Sequence, residues 1–207
     1  MFYLPTFMGM LIQFFVDYIK HRLTAKSRHG THSPFVYKLV DEVIYDFSAK
    51  KVYDEIEKQR KKLLNDGRAG LNTRLLQLMY RLAYNHPSQM VILLGPDLGK
   101  ESLYLAKAKP GTLIVTQRIE DSFSLDFVYI TGAYTKETML NYFNTCLPKV
   151  HENTLLVFND IYRSKGMKEA WKEIKAHPKV TVTIDLFWIG LVYFRKGQVK
   201  EHFKIKF

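Results

Sequence analysis

A short apolar run that ends at two closely spaced glycines is the part of this sequence best suited to bind a ligand. Residues 91–94 are all apolar, Gly95 and Gly99 follow, and a helix-like pattern begins at about residue 99. A glycine turn lets the backbone approach a ligand closely, and the free N–H groups at a helix start attract anionic groups. The spacing therefore predicts a strand, then a binding turn with Gly95, Asp97 and Gly99, then a helix.

The pattern after residue 90 predicts the elements that hold this turn. Continuously apolar early strands are typical of parallel strands covered on both faces, whereas the last two strands are joined by only a few residues and must be antiparallel. The predicted strands are 91–94, 112–117, 126–131, 154–159, 180–186 and 190–195. The predicted helices are near 99–108, 135–147 and 165–176.

The first part of the chain has a helical pattern instead. Residues 11–84 are mostly helix-like. At residues 85–89 the hydrophobic pattern changes from helical spacing to alternating strands and helices. One helix start is clear, because Ser33 can cap it and Pro34 suits its first position. We therefore predict an N-terminal helical region at 1–86 and an α/β domain at 87–207.

The amino terminus is strongly apolar as far as Val16. It lacks a basic leader region and a cleavage pattern, so no signal peptide is predicted and a cytoplasmic location is expected. Pro5 and Gln13 interrupt the run, which is too short for a confident membrane span. We predict a helix from about Leu11 to Arg22 that packs a set of apolar side chains on a partner surface. That set is Ile12, Phe15, Val16 and Ile19.

Composition limits the remaining choices. The 207 residues are 47% hydrophobic, which suits one main domain, and the net charge of +11 would suit an anionic partner. The basic residues are spread along the chain, however, and form no separate arm. The single cysteine, Cys146, excludes an internal disulfide and lies at helical spacing with apolar neighbours, as a buried core thiol would.

A mainly parallel sheet with a C-terminal antiparallel hairpin and a glycine turn after its first strand resembles the class I S-adenosylmethionine-dependent methyltransferase fold, which is Rossmann-like. Four segments carry a narrower resemblance to methyltransferase-like proteins common in Bacteroidota. They are RHGTHSPFVY at 28–37, LGPDLGKESLYLA at 94–106, FVYITG at 127–132, and the stretch from VFNDIYRSKG to LVYFRK at 157–196.

The resemblance implies cofactor contacts that this chain carries only in part. Related sequences have an acid two residues before the first glycine, where this chain has Leu93. The acid that usually holds the ribose after the second strand is replaced by Gln117. An amide loses the charge-assisted strength of a carboxylate, which costs about tenfold in affinity.

The ends of the later strands depart from the family in the same way. Thr131 stands where related sequences have an acid, and only Asn159 and Asp160 supply oxygen atoms after the next strand. These are too few for a magnesium site, and we expect no metal. Asp160 either lines the pocket or caps the following helix, and the sequence leaves both open. The implied cofactor-binding set is Gly95, Asp97, Gly99, Gln117, Thr131 and Asp160.

A segment of the family's fold is also missing. Only residues 118–125 join the second strand to the third, where the fold usually inserts a helix, a strand and a helix. Eight extended residues reach roughly 26 Å, which is barely enough to pass one strand and leaves no room for a covering helix. Any S-adenosylmethionine bound here would lose the wall beside its adenine, so we expect its binding to be weak or absent.

Three functions remain open, and no catalytic residue can be assigned. We prefer a methyltransferase-fold protein with weakened or lost cofactor binding that acts as a binding or scaffolding module. The first alternative is an active S-adenosylmethionine-dependent methyltransferase with a reorganised site, so whether the chain is an enzyme stays undecided. The second is a basic protein that binds nucleic acid or an anionic surface.

The expected partner is a protein or a small molecule of unknown identity. Nucleic acid, and membrane-surface contact by the N-terminal helix, are the partners that the pattern favours least. A homodimer is a further arrangement that the sequence permits. Phe187, Trp188 and Tyr193 near the hairpin would line a pocket, form a dimer contact or belong to the core, and a core position is preferred.

Overall fold

A computed structural model of the protein describes residues 4–30, 32–64, 73–95, 99–123 and 125–207. These residues form one sheet of seven strands in the spatial order β2-β1-β3-β4-β6-β5-β7. The strands are β1 Val91–Leu94, β2 Leu113–Thr116, β3 Phe127–Ile130, β4 Leu155–Asn159, β5 Val182–Asp185, β6 Ile189–Tyr193 and β7 Glu201–Lys204. The predicted order of strands along the chain is confirmed through β6.

The pairing directions agree with the predicted Rossmann-like methyltransferase sheet. β1 is parallel to both β2 and β3, and β3 is parallel to β4. β6 is antiparallel to β4 and to β5. The sheet is therefore mainly parallel and ends in an antiparallel hairpin, because β5 and β6 are joined by too few residues for a crossover.

Helices cover both faces of the sheet. They are α1 Leu4–Thr24, α2 Pro34–Leu39, α3 Lys51–Leu64, α4 Thr73–Asn85, α5 Lys100–Ala108, α6 Lys136–Cys146 and α7 Lys165–Ala176. One core cluster joins α2 to α5 to the odd-numbered residues of β1, β3 and β4. The other joins α6 and α7 to the even-numbered ones. Side chains alternate across a strand, so each face is apolar where helices cover it.

The helix start at Ser33 is as predicted, and a π turn follows it. Ser33 accepts a hydrogen bond from the Val36 N–H, with Pro34 in the first turn. The chain then makes a π turn at Val40–Ile44. The buried Arg81 guanidinium donates to the Val43 carbonyl oxygen at 2.7 Å and to that of Ile44 at 3.2 Å. Arg81 thereby satisfies carbonyl groups that the irregular turn leaves free.

The N-terminal helix is longer than predicted, and it packs on the body of the protein through a second apolar face. It begins at Leu4, because a proline in the first helical turn removes no intrahelical hydrogen bond. Phe14 and Tyr18 pack on Phe187, with ring centroids 5.1 Å apart in both pairs. The residues predicted to pack on a partner surface, among them Ile12 and Phe15, are exposed in the single chain. No helix among the described residues is long and apolar enough to cross a bilayer.

The aromatic residues near the hairpin pack inside the protein. Phe187 and Tyr193 are buried, and Trp188 lies under α1, where it contacts Phe14 and Tyr18. This confirms the core position and leaves Phe187 and Tyr193 with no surface for a dimer contact.

Strand β7 was not predicted. It pairs in parallel with β5 at the edge of the sheet, and Ile205 bridges to Lys26 just beyond it. Two of its residues are charged, as is common on edge strands, which must not pair with other chains. In such a short polar segment the alternation of apolar and polar residues is too weak to predict a strand from sequence.

The missing segment after β2 is confirmed in the structure. β1 lies between β2 and β3, so the link must pass one strand, and its described residues form neither helix nor strand. β2 is therefore the edge of the sheet, with Val115 exposed.

Cys146 lies in the core at the end of α6, and burial raises the pKa of its thiol to about 12. A thiol reacts as its thiolate, so we expect Cys146 in the native protein to resist a disulfide reagent at pH 8 and to react fully in urea. Labelling followed by mass spectrometry measures both states. Rapid native labelling would show that the α6 end opens easily.

Candidate functional site

The carboxyl ends of β1, β3 and β4 bring the predicted site residues to one edge of the sheet. Gly95 follows β1, Thr131 follows β3, and Asn159 and Asp160 lie at the end of β4. β3 and β4 pair with Ile130 opposite Phe158, so Thr131 and Asn159 lie at neighbouring strand ends. This edge, where strands give way to loops, is where open α/β sheets bind ligands.

Gly95 and Gly99 adopt backbone conformations that favour glycine, with φ of +129° and +73°. Gly99 precedes the first residue of α5, as predicted for the helix start. Asp97 lies outside the described residues. The side of Gly95 is occupied by protein, because an added Cβ would come within 2.2 Å of the Thr131 carbonyl oxygen.

The structure places the two positions where the resemblance implies an acid, Leu93 and Gln117, in different surroundings. Leu93 is buried in the core cluster on the α5 side. Gln117 is exposed just after the edge strand β2. Gln117 thus follows β2, as predicted, but its side chain lies in solvent.

Thr131 and Asn159 each present a buried polar atom at the edge. Both residues are at least nine-tenths buried. Among the described residues, neither Thr131 Oγ1 nor Asn159 Oδ1 has a hydrogen-bond partner. Buried polar atoms normally have partners, so an unpaired pair at neighbouring strand ends suits a polar ligand or ordered water.

Asp160 lines this edge and does not cap the next helix. Ser164 caps α7 by accepting from the Met167 N–H, which removes the capping interpretation of Asp160. Asp160 has a φ of +56° and pairs with the Arg163 guanidinium at 3.3 Å. Burial raises the pKa of the Asp160 carboxyl, although Arg163 opposes the shift.

Sequence reasoning missed two buried residues near this edge. Glu101 lies buried in the first turn of α5, and Tyr129 is buried in β3. Burial raises the pKa of Tyr129 strongly, with a further contribution from the charges of Glu101 and Asp160. An acid in a first helical turn is a common surface feature, so only the packing of α5 on the sheet reveals that Glu101 is buried.

The described residues at the carboxyl ends of the strands do not assemble a set of metal ligands. In the part of the chain that the structure describes, no group of three or more histidine, cysteine, aspartate or glutamate residues could hold a metal ion.

Sequence comparison and structural comparison give different results. No protein-family model matches the chain, and no curated protein matches it significantly. Among solved structures, it is similar to the S-adenosylhomocysteine-bound methyltransferase PaMTH1 of Podospora anserina, with a TM-score of 0.56 and 8% identity. The match covers 80% of this chain and 98% of that one.

Two O-methyltransferases are similar to the same degree. TomG of Streptomyces achromogenes, solved with S-adenosylmethionine, matches with a TM-score of 0.52 and 10% identity over 75% of this chain and 95% of its own. An enzyme from Bacillus cereus, in complex with S-adenosylhomocysteine, matches with a TM-score of 0.51 and 12% identity over 72% and 93%. The chain therefore has the class I S-adenosylmethionine-dependent methyltransferase fold.

Proposed function

We propose that this protein is a methyltransferase-fold binding or scaffolding module in which binding of S-adenosylmethionine is weakened or lost. The observation that carries the proposal is the exposed Gln117 after an edge strand. The residues present fit only part of the cofactor, so we derive no methyl transfer through it.

The ribose and adenine side of the site supports a large loss of affinity. An exposed amide in place of a carboxylate costs about tenfold. Without the usual segment after β2, about 100 Å² of adenine surface stays in water, which costs on the order of 2–3 kcal/mol. Together these losses amount to roughly a thousandfold, enough to turn a micromolar ligand into a millimolar one.

The amino-acid side of the site supports the same proposal. Leu93 occupies the position of the acid that related sequences carry there, and it packs in the apolar core. A buried leucine side chain can neither pair with an ammonium group nor accept a hydrogen bond. Contacts at both ends of the expected cofactor are therefore replaced.

An active methyltransferase with a reorganised site is the alternative, and one observation favours it. Thr131 Oγ1 and Asn159 Oδ1 are buried and unpaired among the described residues, so a small ligand at this edge would satisfy both. Methyl transfer depends mainly on positioning and needs few catalytic side chains. The missing acid-base motifs therefore do not decide between the two functions.

Calorimetric titration with S-adenosylmethionine and S-adenosylhomocysteine tests the proposal. We expect neither resolvable heat nor a thermal shift at about 0.1 mM ligand, because a millimolar ligand then fills only about a tenth of the sites and stabilises the native state by less than about 0.1 kcal/mol. An active methyltransferase titrated in the same buffer is the positive control.

A dissociation constant in the micromolar range would overturn the proposal. The variant Thr131→Val then locates the ligand, because it removes the hydroxyl group and keeps the shape of the side chain. Binding that weakens about tenfold in this variant would establish the reorganised site.

A further inference from the structure

The N-terminal helix α1 is apolar on two faces, and only one of them is covered by the protein. On the inner face Phe14 and Tyr18 pack on the rings of Phe187 and Trp188. A helix that is apolar on all sides is normally buried. The outer face of α1 therefore requires an explanation that the single chain does not supply.

The inner contacts fix the helix, so the outer face cannot turn inward. Asp17 forms an ion pair with Lys168 of α7. One turn later, His21 Nε2 lies 3.0 Å from an Asp185 carboxylate oxygen at the end of β5. Polar anchors and aromatic contacts thus hold one side of α1 on the body of the protein.

The outer face is a continuous apolar stripe. Its residues recur at spacings of three and four, which places them on one side of the helix. They are Met8, Leu11, Ile12, Phe15, Val16, Ile19 and Leu23, with exposed fractions from 36% at Val16 to 79% at Leu23. Residues 4–16 contain no charged side chain.

We propose that the outer face of α1 packs against the same face of a second copy of this chain, forming a two-fold symmetric dimer. A fully exposed large apolar side chain presents about 150–200 Å², so the stripe exposes roughly 700 Å² per chain. A stable interface buries about 800 Å² per partner. The stripe supplies most of that area without contributions from the rest of the surface.

The charges favour an antiparallel arrangement of the two helices. Lys20 and Arg22 lie near the end of α1, so parallel copies would place like charges beside each other. In the antiparallel arrangement they lie opposite the uncharged residues 9–11. If the two-fold axis passes between Phe15 and Val16 of both helices, Ile12 of one copy lies opposite Ile19 of the other. Met8 then lies opposite Leu23.

A membrane surface fits this helix less well than a second copy does. Helices that lie on membranes carry lysine and arginine on a free polar face. The side of α1 that carries Asp17 and His21 is docked on the protein, and its first three turns have no basic residue. The proposal does not involve Gln117, which follows β2 at one edge of the sheet, whereas α1 docks beside the end of β5 near the other edge. It therefore holds or fails independently of the proposed loss of cofactor binding.

Sedimentation velocity at about 50 µM tests the proposal. We expect the wild-type chain to sediment as a dimer and the double variant Ile12→Glu, Ile19→Glu to sediment as a monomer. Facing carboxylates at the centre of the stripe should weaken self-association at least about a hundredfold. Both residues are exposed in the single chain, so the substitutions should not unfold the monomer. The variant should keep the circular dichroism spectrum of the wild type and should melt cooperatively.

The control is Val199→Glu, which adds one carboxylate per chain at a more exposed aliphatic residue outside α1. It should remain a dimer. A monomeric wild-type chain at 50 µM overturns the proposal, and so does a dimer that survives the double substitution. A wild-type monomer that binds vesicles containing phosphatidylserine would assign the stripe to a membrane instead.

Cysteine cross-linking tests the orientation, because Cys146 is buried and does not compete. Met8→Cys alone and Leu23→Cys alone should give little disulfide-linked dimer under mild oxidation, whereas an equimolar mixture of the two should give it readily. Efficient linking of Met8→Cys to itself would contradict the antiparallel arrangement.

Discussion

We expect the variant His21→Ala to lose about 3 kcal/mol of unfolding free energy, near the lower end of what breaking a buried ion pair costs. His21 is only 2% exposed, and its Nε2 lies 3.0 Å from Asp185 Oδ1 and 3.1 Å from the Asp185 carbonyl oxygen. Removing the imidazole leaves the Asp185 carboxylate buried without the Nε2 hydrogen-bond partner that His21 supplies. It also detaches α1 from the end of β5.

The remaining donors to Asp185 explain why the loss should not be larger. Tyr162 Oη donates to Asp185 at 2.8 Å, the Phe187 N–H at 3.0 Å and Trp171 Nε1 at 3.4 Å. These three hydrogen bonds still stabilise the carboxylate after His21 is removed. Urea unfolding at pH 7 and fixed protein concentration, followed by the fluorescence of Trp171 and Trp188, measures the difference.

The control is a second histidine–aspartate pair at the surface. His151 Nε2 lies 3.1 Å from Asp126 Oδ1, nearly the same distance, but the imidazole is 40% exposed. His151→Ala should cost less than about 1 kcal/mol, because water already screens the pair. Equal losses in the two variants would show that burial does not decide the strength of the pair.

The effect of His21→Ala should also depend on pH in a defined direction. Burial by itself would raise the pKa of Asp185, but the hydrogen bond and charge of His21, with the Phe187 and Tyr162 donors, hold it below its ordinary value. A lowered pKa contributes stability above the unfolded value of about 3.9 and loses it as the pH falls further. The difference in unfolding free energy between the wild type and His21→Ala should therefore become smaller below about pH 4.

The sheet could be predicted from sequence because its strands carry strong local signals. The apolar runs at β1, β3 and β4 are bounded by turns. The short link predicted at 118–125 indicated the missing segment by its length alone. The docking face of α1 could not be predicted in the same way. Both sides of that helix are apolar, so periodicity identifies a helix without showing which side faces the body.

The candidate site shows a similar division. Gly95 and Gly99 were recognisable because a glycine turn is a local feature of the sequence. The sequence identified Asn159 as a residue that could supply an oxygen atom, but its burial and that of Glu101 depend on elements distant in the chain. Sequence spacing therefore located the edge of the sheet but did not show which polar atoms stay unpaired there.

The second large effect is expected at Gly95. We expect Gly95→Ala to lose about 3 kcal/mol or more, because its φ of +129° strains any other residue and its Cβ would lie 2.2 Å from the Thr131 carbonyl oxygen. The neighbouring backbone cannot easily give way. The Gly95 N–H donates to the Thr116 carbonyl oxygen at 2.9 Å, and the Thr131 N–H donates to that of Leu94 at 3.0 Å.

Gly111→Ala is the control that distinguishes backbone strain from the steric clash. Gly111 also has a positive φ, of +77°, but an added Cβ would meet no atom within 4 Å. It should cost only about 1–2 kcal/mol. Urea unfolding of both variants measures the difference, and equal losses would contradict the proposed clash with Thr131.

The Gly95 result bears directly on how function should be tested. A bulky residue at Gly95 would disturb the contact between β1 and β3 whether or not a cofactor binds, so loss of activity there would not identify a ligand site. The fold alone requires this glycine, so its presence does not decide whether a cofactor binds. Substitutions at the exposed Gln117 leave the packing intact, and a change in ligand binding there would report the site itself.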